Sequence, residues 1–283
     1  MALSKKEMSA VLIGDNIKIF ACPHCGESVI LHQSKSLVCT NNHSFDLAKQ
    51  GYVNMLTHSV TSMYDQSLFE ARKTVIDAML YHQMYEVIVE KLQALGDIIH
   101  VLDTGCGEGT HLYKIQQQFD GELIASGIDI AKEGIQAAAK NYSSAIWIVG
   151  DLAKSPYASQ SFDAILNILS PANYGEFKRI SKDGGKIIKV VPQSGYLKEL
   201  RELYYANSDK EDYSNDKTVA RFQENFDDVV IERVTLTQKL APELVPLLVH
   251  MTPMGWHQEQ QIDAKQLPQI TIDLDILIGT VKK

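Results

Sequence analysis

Four residues near the start of the chain have the types and spacing to hold a metal: Cys22-x2-Cys25-x13-Cys39-x3-His43. A tetrahedral zinc needs four nitrogen or sulfur ligands converging on one point, and two tight turns can supply them. Cys22-Pro23-His24-Cys25-Gly26 has the makings of the first turn. Pro23 fixes the entry, and Gly26 permits left-handed backbone that aims amides at the sulfurs. Cys39 and His43 would form the second. Thiols clustered in a reducing compartment point to metal ligation ahead of disulfides. His24 and His32 are alternative fourth ligands, although His24 lies inside the first turn and would have to fold back. With every position filled by protein the zinc is expected to be structural, stabilising a segment with little core of its own.

A second constellation follows at Asp103-Thr104-Gly105-Cys106-Gly107-Glu108-Gly109. Glycines at a strand-to-helix turn let a ligand approach the backbone closely. The spacing is G-x-G-x-G, not the G-x-G-x-x-G of a dinucleotide fold. Asp129, at the end of the next strand, can accept both ribose hydroxyls; its plainer alternative is a helix cap before Ala131. Asp151, after the strand that follows, can accept an adenine amine. Asp103 and Glu108 add two more carboxylates beside the loop. So many acids repel a phosphate, but they suit a cationic nucleoside without one. The expected cofactor is therefore S-adenosylmethionine. Cys106 is a small residue in a tight loop and is assigned no chemistry.

The elements that must position these residues can be read from hydropathy patterning. Segments 18–57 form short extended pieces around turn residues. Residues 65–95 carry apolar positions at helical spacing, with Arg72 and Lys73 between them, and Gly96 is a plausible stop. Apolar strands at 98–105, 122–130, 145–151, 162–169 and 184–192 then alternate with helical segments near 109–118, 131–141, 173–181 and 195–206. That alternation predicts an α/β fold with a doubly wound, Rossmann-like parallel sheet. Residues 207–217 are polar and read as an exposed loop. Segments 229–240 and 270–281 alternate like antiparallel strands, with a short helix at 242–250 between them. The expected organisation is a zinc-binding domain at 1–57, a helical connector at 58–96 and a methyltransferase domain at 97–283.

Charge and composition narrow the classes further. The formal net charge is −8, with 45% hydrophobic and 22% charged residues. This is the profile of a globular chain and argues against bulk electrostatic coating of nucleic acid. Residues 1–60 hold five lysines and four acids, so the deficit lies in the remainder, and a nucleic-acid contact is expected to be local. No apolar run is long enough to span a bilayer, and the first residues lack a secretory h-region, so no membrane partner and a cytoplasmic address are expected.

Taken together, the motifs resemble the 23S ribosomal RNA guanine-N1 methyltransferases, whose members methylate one of two nearby guanines in a domain II hairpin loop. The resemblance covers nearly the whole chain. It rests on CPHC…CTNNH, HSFDLAKQGYVNML (43–56), EARK (70–73), VLDTGCGEGT (101–110), GIDIAKEGIQAAAK (127–140) and MTPMGW (251–256). It implies zinc on Cys22, Cys25, Cys39 and His43, and a methyl donor lined by Gly107 and Glu108. It further implies that Tyr81 and Tyr196 touch the donor. The partner would be the 23S rRNA hairpin loop, not DNA, with a homodimer as a further expectation. One departure is clear: family members often carry a basic stretch near residue 65, whereas no Lys or Arg falls between His58 and Glu70.

For methyl transfer to guanine N1, the N1 proton must leave, either to a general base or with hydrogen bonds to O6 favouring the deprotonated ring. Asn167, in the turn Asn167–Pro171, is a candidate for reading a base edge, and a structural hydrogen bond is its plainer role. Asp65 is a candidate base, with a helix cap as the alternative. Tyr52 and Trp256 could stack on bases or simply pack. Arg72 and Lys73 could meet phosphate or form a solvated face. Two rival classes remain at this stage. One is a zinc-containing methyltransferase acting on a small molecule or protein; the other is a regulatory module that binds the donor without transfer.

Overall fold

The chain enters through a helix that the sequence reading did not anticipate. Helix α1 (Lys5–Asp15) begins at a capping box, in which Ser4 accepts from the Glu7 amide and Glu7 returns the bond to Ser4. This computed structural model describes residues 3–60, 64–78, 80–205, 213–256 and 262–282. After α1, strands β1 (Val29–His32), β2 (Ser36–Cys39) and β3 (Ser44–Asp46) form a three-stranded antiparallel sheet. Strand β4 (Tyr52–Asn54) leaves that sheet and pairs elsewhere.

Helices α2 (Gln66–Asp77) and α3 (His82–Gln93) lead into strand β5 (Ile98–Thr104). The alternation then runs α4 (Thr110–Gln118), β6 (Glu122–Asp129), α5 (Lys132–Asn141), β7 (Ala145–Val149), β8 (Phe162–Ile168), α6 (Tyr174–Ile180) and β9 (Ser181–Pro192). Helices α7 (Lys198–Tyr205) and α8 (Asp216–Gln223) precede β10 (Asp227–Lys239). Helix α9 (Val245–Met251) and β11 (Gln269–Thr280) complete the chain. No described helix is long and apolar enough to cross a membrane.

The main sheet has eight strands in the order β10-β11-β9-β8-β5-β6-β7-β4. From β9 to β4 every neighbouring pair is parallel; β11 joins β9, and β10 joins β11, in antiparallel register. The expected doubly wound sheet is therefore present. Its eighth strand is contributed by the N-terminal segment, within the range 1–57. Neighbours in a parallel sheet bury both faces, so successive residues point into different cores. Val101, Trp147 and Val190 pack with α3, α4, α5, α7 and α9, while Leu102, Ile148 and Val191 pack with α1, α6 and Phe222 of α8.

Two expectations need correction. Segment 270–281 does not alternate: β11 is buried along nearly its whole length and carries Asp273 and Asp275 inside, because α3 and α7 cover one face and α8 the other. Of the loop expected at 207–217, residues 207–212 lie outside the described set, and Asp216 already opens α8.

The order of the strands places the crevice. Chain connections run outward in opposite directions from β5 and β8, and ligands in such sheets bind beyond the carboxyl ends of the strands at that switch point. The glycine loop follows β5, and the Asn167–Pro171 turn starts at the end of β8.

Candidate active site and metal centre

In the N-terminal sheet the metal-ligand atoms of Cys22, Cys25, Cys39 and His43 all lie within 4.8 Å of one another. His43 Nδ1 is 3.5 Å from Cys22 Sγ and 3.4 Å from Cys39 Sγ, and Cys25 Sγ is 3.8 Å from Cys39 Sγ. Tetrahedral zinc with ordinary Zn–S and Zn–N bonds requires ligand separations of about 3.4–3.8 Å. All the cysteines are free thiols. Gly26 takes φ +78° and its amide donates to the Cys22 carbonyl at 2.7 Å, and the His43 amide donates to Cys39 Sγ at 3.3 Å. The donor set thus fits zinc, with His43 bound through Nδ1. His24 stacks on His43 and Phe45 outside the set, and His32 pairs with Ser36 along the hairpin.

At the switch point lies a cleft of about 1080 Å³. Gly105, Gly107 and Gly109 all take positive φ (+70°, +56° and +78°), a conformation side chains resist. A Cβ on Gly105 would stand 1.9 Å from Ser170 Oγ, so the loop is pressed against the turn after β8. Asp129 Oδ2 accepts from the Gly107 amide and Oδ1 from the Ala131 amide, both at 2.8 Å. These bonds brace the loop and the turn before α5 without capping the helix, whose N-cap is Ala131 with no side-chain cap bond, and the same carboxylate lines the cleft with lone pairs to spare for a diol. Asp151 also lines the cleft and accepts from the Ala153 amide at 2.8 Å. Tyr81 and Tyr196 meet through their hydroxyls at 2.9 Å on the cleft wall.

Asp103 and Glu108 behave differently. They are 2% and 1% exposed and do not line the cleft. Both Glu108 oxygens and Asp103 Oδ1 lack hydrogen-bond partners. Arg72 Nε, from α2, approaches Glu108 Oε2 at 3.2 Å, and Arg72 itself lines the cleft. Burial opposes the arginine's charge, but Glu108, Tyr81, Asp129 and Asp103 together hold its pKa above the usual value. Arg72 is thus neither a phosphate contact nor a solvated charge. Lys73 beside it pairs with Asp77. Asp103 and Glu108 thus act behind the glycine loop, where they hold Arg72. In the cleft itself, the glycine turn and the carboxylates of Asp129 and Asp151 fit S-adenosylmethionine, whose chemistry when bound is an electrophilic methyl group.

The remaining candidates are placed less centrally. Asp65 caps α2, accepting from the Leu68 amide at 2.9 Å. Asn167 is fully buried, donating to Pro171 O at 2.9 Å and Thr104 Oγ1 at 3.0 Å while Lys189 donates to its oxygen. It holds the turn and has no edge left for a base. Tyr52 is buried, accepting from Gln136 at 3.1 Å. Trp256 does line the cleft, close to Tyr64. Reading the sequence missed Lys189, Lys217 and Arg221, which also line it. The available signal for Lys189 was a charge inside the apolar run Ile187–Val191.

Two consequences can be measured. Asp129→Ala removes the clamp on Gly107 together with a carboxylate that faces the cleft, so donor affinity should fall at least about tenfold, the scale of one charge-assisted hydrogen bond; calorimetric titration checks this. Burial pushes the Asp103 carboxyl up to about 7, against the pull of Arg72 and with the charges of Asp129 and Glu108 adding. A carboxyl raised in the folded state keeps a proton that the unfolded chain has lost. Its contribution to stability is therefore complete below the ordinary value of 3.8 and disappears as pH rises through about 7. Relative to wild type, Asp103→Asn should gain stability at pH values above about 7. Denaturant melts should show that gain shrinking as the pH falls toward about 4.

Fold and site define an S-adenosylmethionine-dependent methyltransferase bearing a zinc ribbon. A family model described as "Methyltransferase domain" matches residues 101–185, and the zinc-ribbon model described as "RlmA, N-terminal" matches residues 20–58. The chain is 37% identical over 275 residues to YxjB of Bacillus subtilis (strain 168), provisionally named as a 23S rRNA (guanine-N1)-methyltransferase; 93% of this chain and 98% of that protein are covered. It is 27% identical over 260 residues to the 23S rRNA (guanine(748)-N(1))-methyltransferase of Streptomyces fradiae, covering 90% and 91%. The chain belongs to the 23S rRNA (guanine-N1) methyltransferase family.

Proposed function

We propose that the protein transfers a methyl group to N1 of a guanine in a hairpin loop of 23S rRNA. The observation that carries this reading is the wall of the cleft beyond the donor site. Lys217 and Arg221 stand one turn apart on α8, exposed, with Arg221 over the Tyr174 ring at 5.6 Å. Tyr64, Tyr213 and Trp256 line the same cleft. Cations for phosphate beside rings for unstacked bases are what a single-stranded RNA loop requires. In a chain of net charge −8 they offer the local contact that the segment after His58 lacks. A loop guanine is already partly unstacked, so turning it into the cleft costs little. Tyr81, Tyr196 and Asp129 would hold the donor, and the ribbon would hold the RNA. A ribosomal RNA substrate also implies a cytoplasmic site of action, and sedimentation would show whether two copies associate.

Mass spectrometry of 23S rRNA from a strain lacking the gene should show loss of N1-methylguanosine at one site, restored by the gene. An unchanged nucleoside profile overturns the reading and favours a small-molecule or protein substrate. With purified protein, Lys217→Ala and Arg221→Ala should each weaken RNA binding. Each should also lower the slope of log affinity against log salt by about 1.

A further inference from the structure

Lys189 sits in β9, is 5% exposed, and still reaches the cleft. Its Nζ donates to Asn167 Oδ1 and, at 2.9 Å, to the Ser170 carbonyl. Asn167 and Lys189 are register partners on the parallel strands β8 and β9, so the sheet itself sets their contact. Asn167 spends its amide hydrogens on Pro171 and Thr104, which turns its oxygen toward the lysine. Ser170 abuts Gly105 of the glycine loop. Lys189 therefore stands where the donor site meets the substrate side of the cleft.

The charged groups sharing that cleft are Arg72, Asp129, Asp151, Lys217 and Arg221. Tyr64, Tyr81, His111, Tyr174, Tyr196 and Tyr213 are its other titratable groups. The lysine's own hydrogen-bond partners are both neutral. Burial pushes its ammonium down to about 8. A lysine ammonium has three N–H bonds. Two acceptors use two of them, so in the neutral amine both N–H bonds are satisfied and a lone pair remains.

We propose that Lys189 is the proton acceptor of the reaction, taking the N1 proton of the substrate guanine; this rests on the guanine-N1 reading above. The N1–H proton passes to the Nζ lone pair. The electron pair freed on N1 forms the bond to the methyl carbon, and the sulfur–methyl pair returns to sulfur, leaving a thioether. The resulting ammonium is held by Asn167 and Ser170 and gives its proton to water after product release.

The test is single-turnover methylation of the rRNA hairpin from about pH 6 to about pH 9, for wild type, Lys189→Met and Lys189→Arg. Donor and RNA affinities are measured alongside. The wild-type rate should rise about tenfold per pH unit and level near pH 8. Both variants should lose at least about 100-fold with RNA affinity unchanged. Arg should do no better than Met, because a guanidinium stays protonated. A Met variant keeping most of the rate overturns the proposal. So does rescue by Arg, which would mark a fixed positive charge instead. If neither variant binds the donor, the wild-type profile decides: levelling near pH 8 supports the role, and a flat profile overturns it. A wild type that binds the RNA but yields no N1-methylguanosine overturns the substrate reading and this role with it.

Discussion

Arg72→Met is expected to destabilise the protein by about 3–5 kcal/mol, the cost of removing one partner from a buried charge pair. The reason lies in what Arg72 faces. Glu108 is 1% exposed with neither oxygen hydrogen-bonded, and the charges of Asp103 and Asp129 also act on the guanidinium. Without it three carboxylates share one low-dielectric pocket with no compensating cation, and some must protonate. Denaturant titration should show the loss. Donor affinity should fall with it, since Arg72 also lines the cleft. Adding Glu108→Gln should recover part of the stability, because the uncompensated charge disappears. Lys at position 72 keeps the charge but not the planar fork, so it should fall between Met and wild type. A single Met variant with an unchanged denaturation midpoint would show that the pair contributes nothing.

Removing zinc should have a larger effect, confined at first to one end of the molecule. Structural zinc in small modules contributes about 10–16 kcal/mol of apparent binding energy, which is folding energy for the segment that holds it. The ribbon has few buried apolar residues of its own, chiefly Val29, Leu37, Phe45 and Leu47. Cys39→Ser, or a strong chelator, should therefore open β1 to β3 to protease while the sheet still binds the donor. RNA methylation should cease. Elemental analysis should find about one zinc per chain in the wild type. A metal-free protein whose ribbon resists protease would sink the assignment.

The parts of the site that were legible in the sequence are those built from local chain. The Cys/His spacing encodes two turns, and the glycines of the 105–109 loop each take the positive φ that their residue type permits. Runs such as Ala145–Val149 announce strands buried on both faces. The parts that were not legible depend on distant segments meeting. Arg72 reads as one charge on an amphipathic helix until α2 packs beneath the glycine loop. Asn167 reads as a base-edge reader until the β8–β9 register places Lys189 opposite it. Helix α1 was missed for a different reason. Its Ser4-x-x-Glu7 signature is present, but its buried face is only Ser9, Ala10 and Ile13, too small to show an apolar stripe.

The pairing of β4 with β7 has a further consequence. β7 is Ala-Ile-Trp-Ile-Val, buried throughout and without a charge. Only Tyr52–Asn54, with the Met55 amide donating to the Val149 carbonyl at 2.8 Å, cover its outer hydrogen-bonding side. If the N-terminal segment melts, that apolar strand becomes a bare sheet margin, the kind of template on which chains stack into aggregates. The metal thus also guards solubility, and zinc-stripped protein should precipitate on warming well before its catalytic half unfolds.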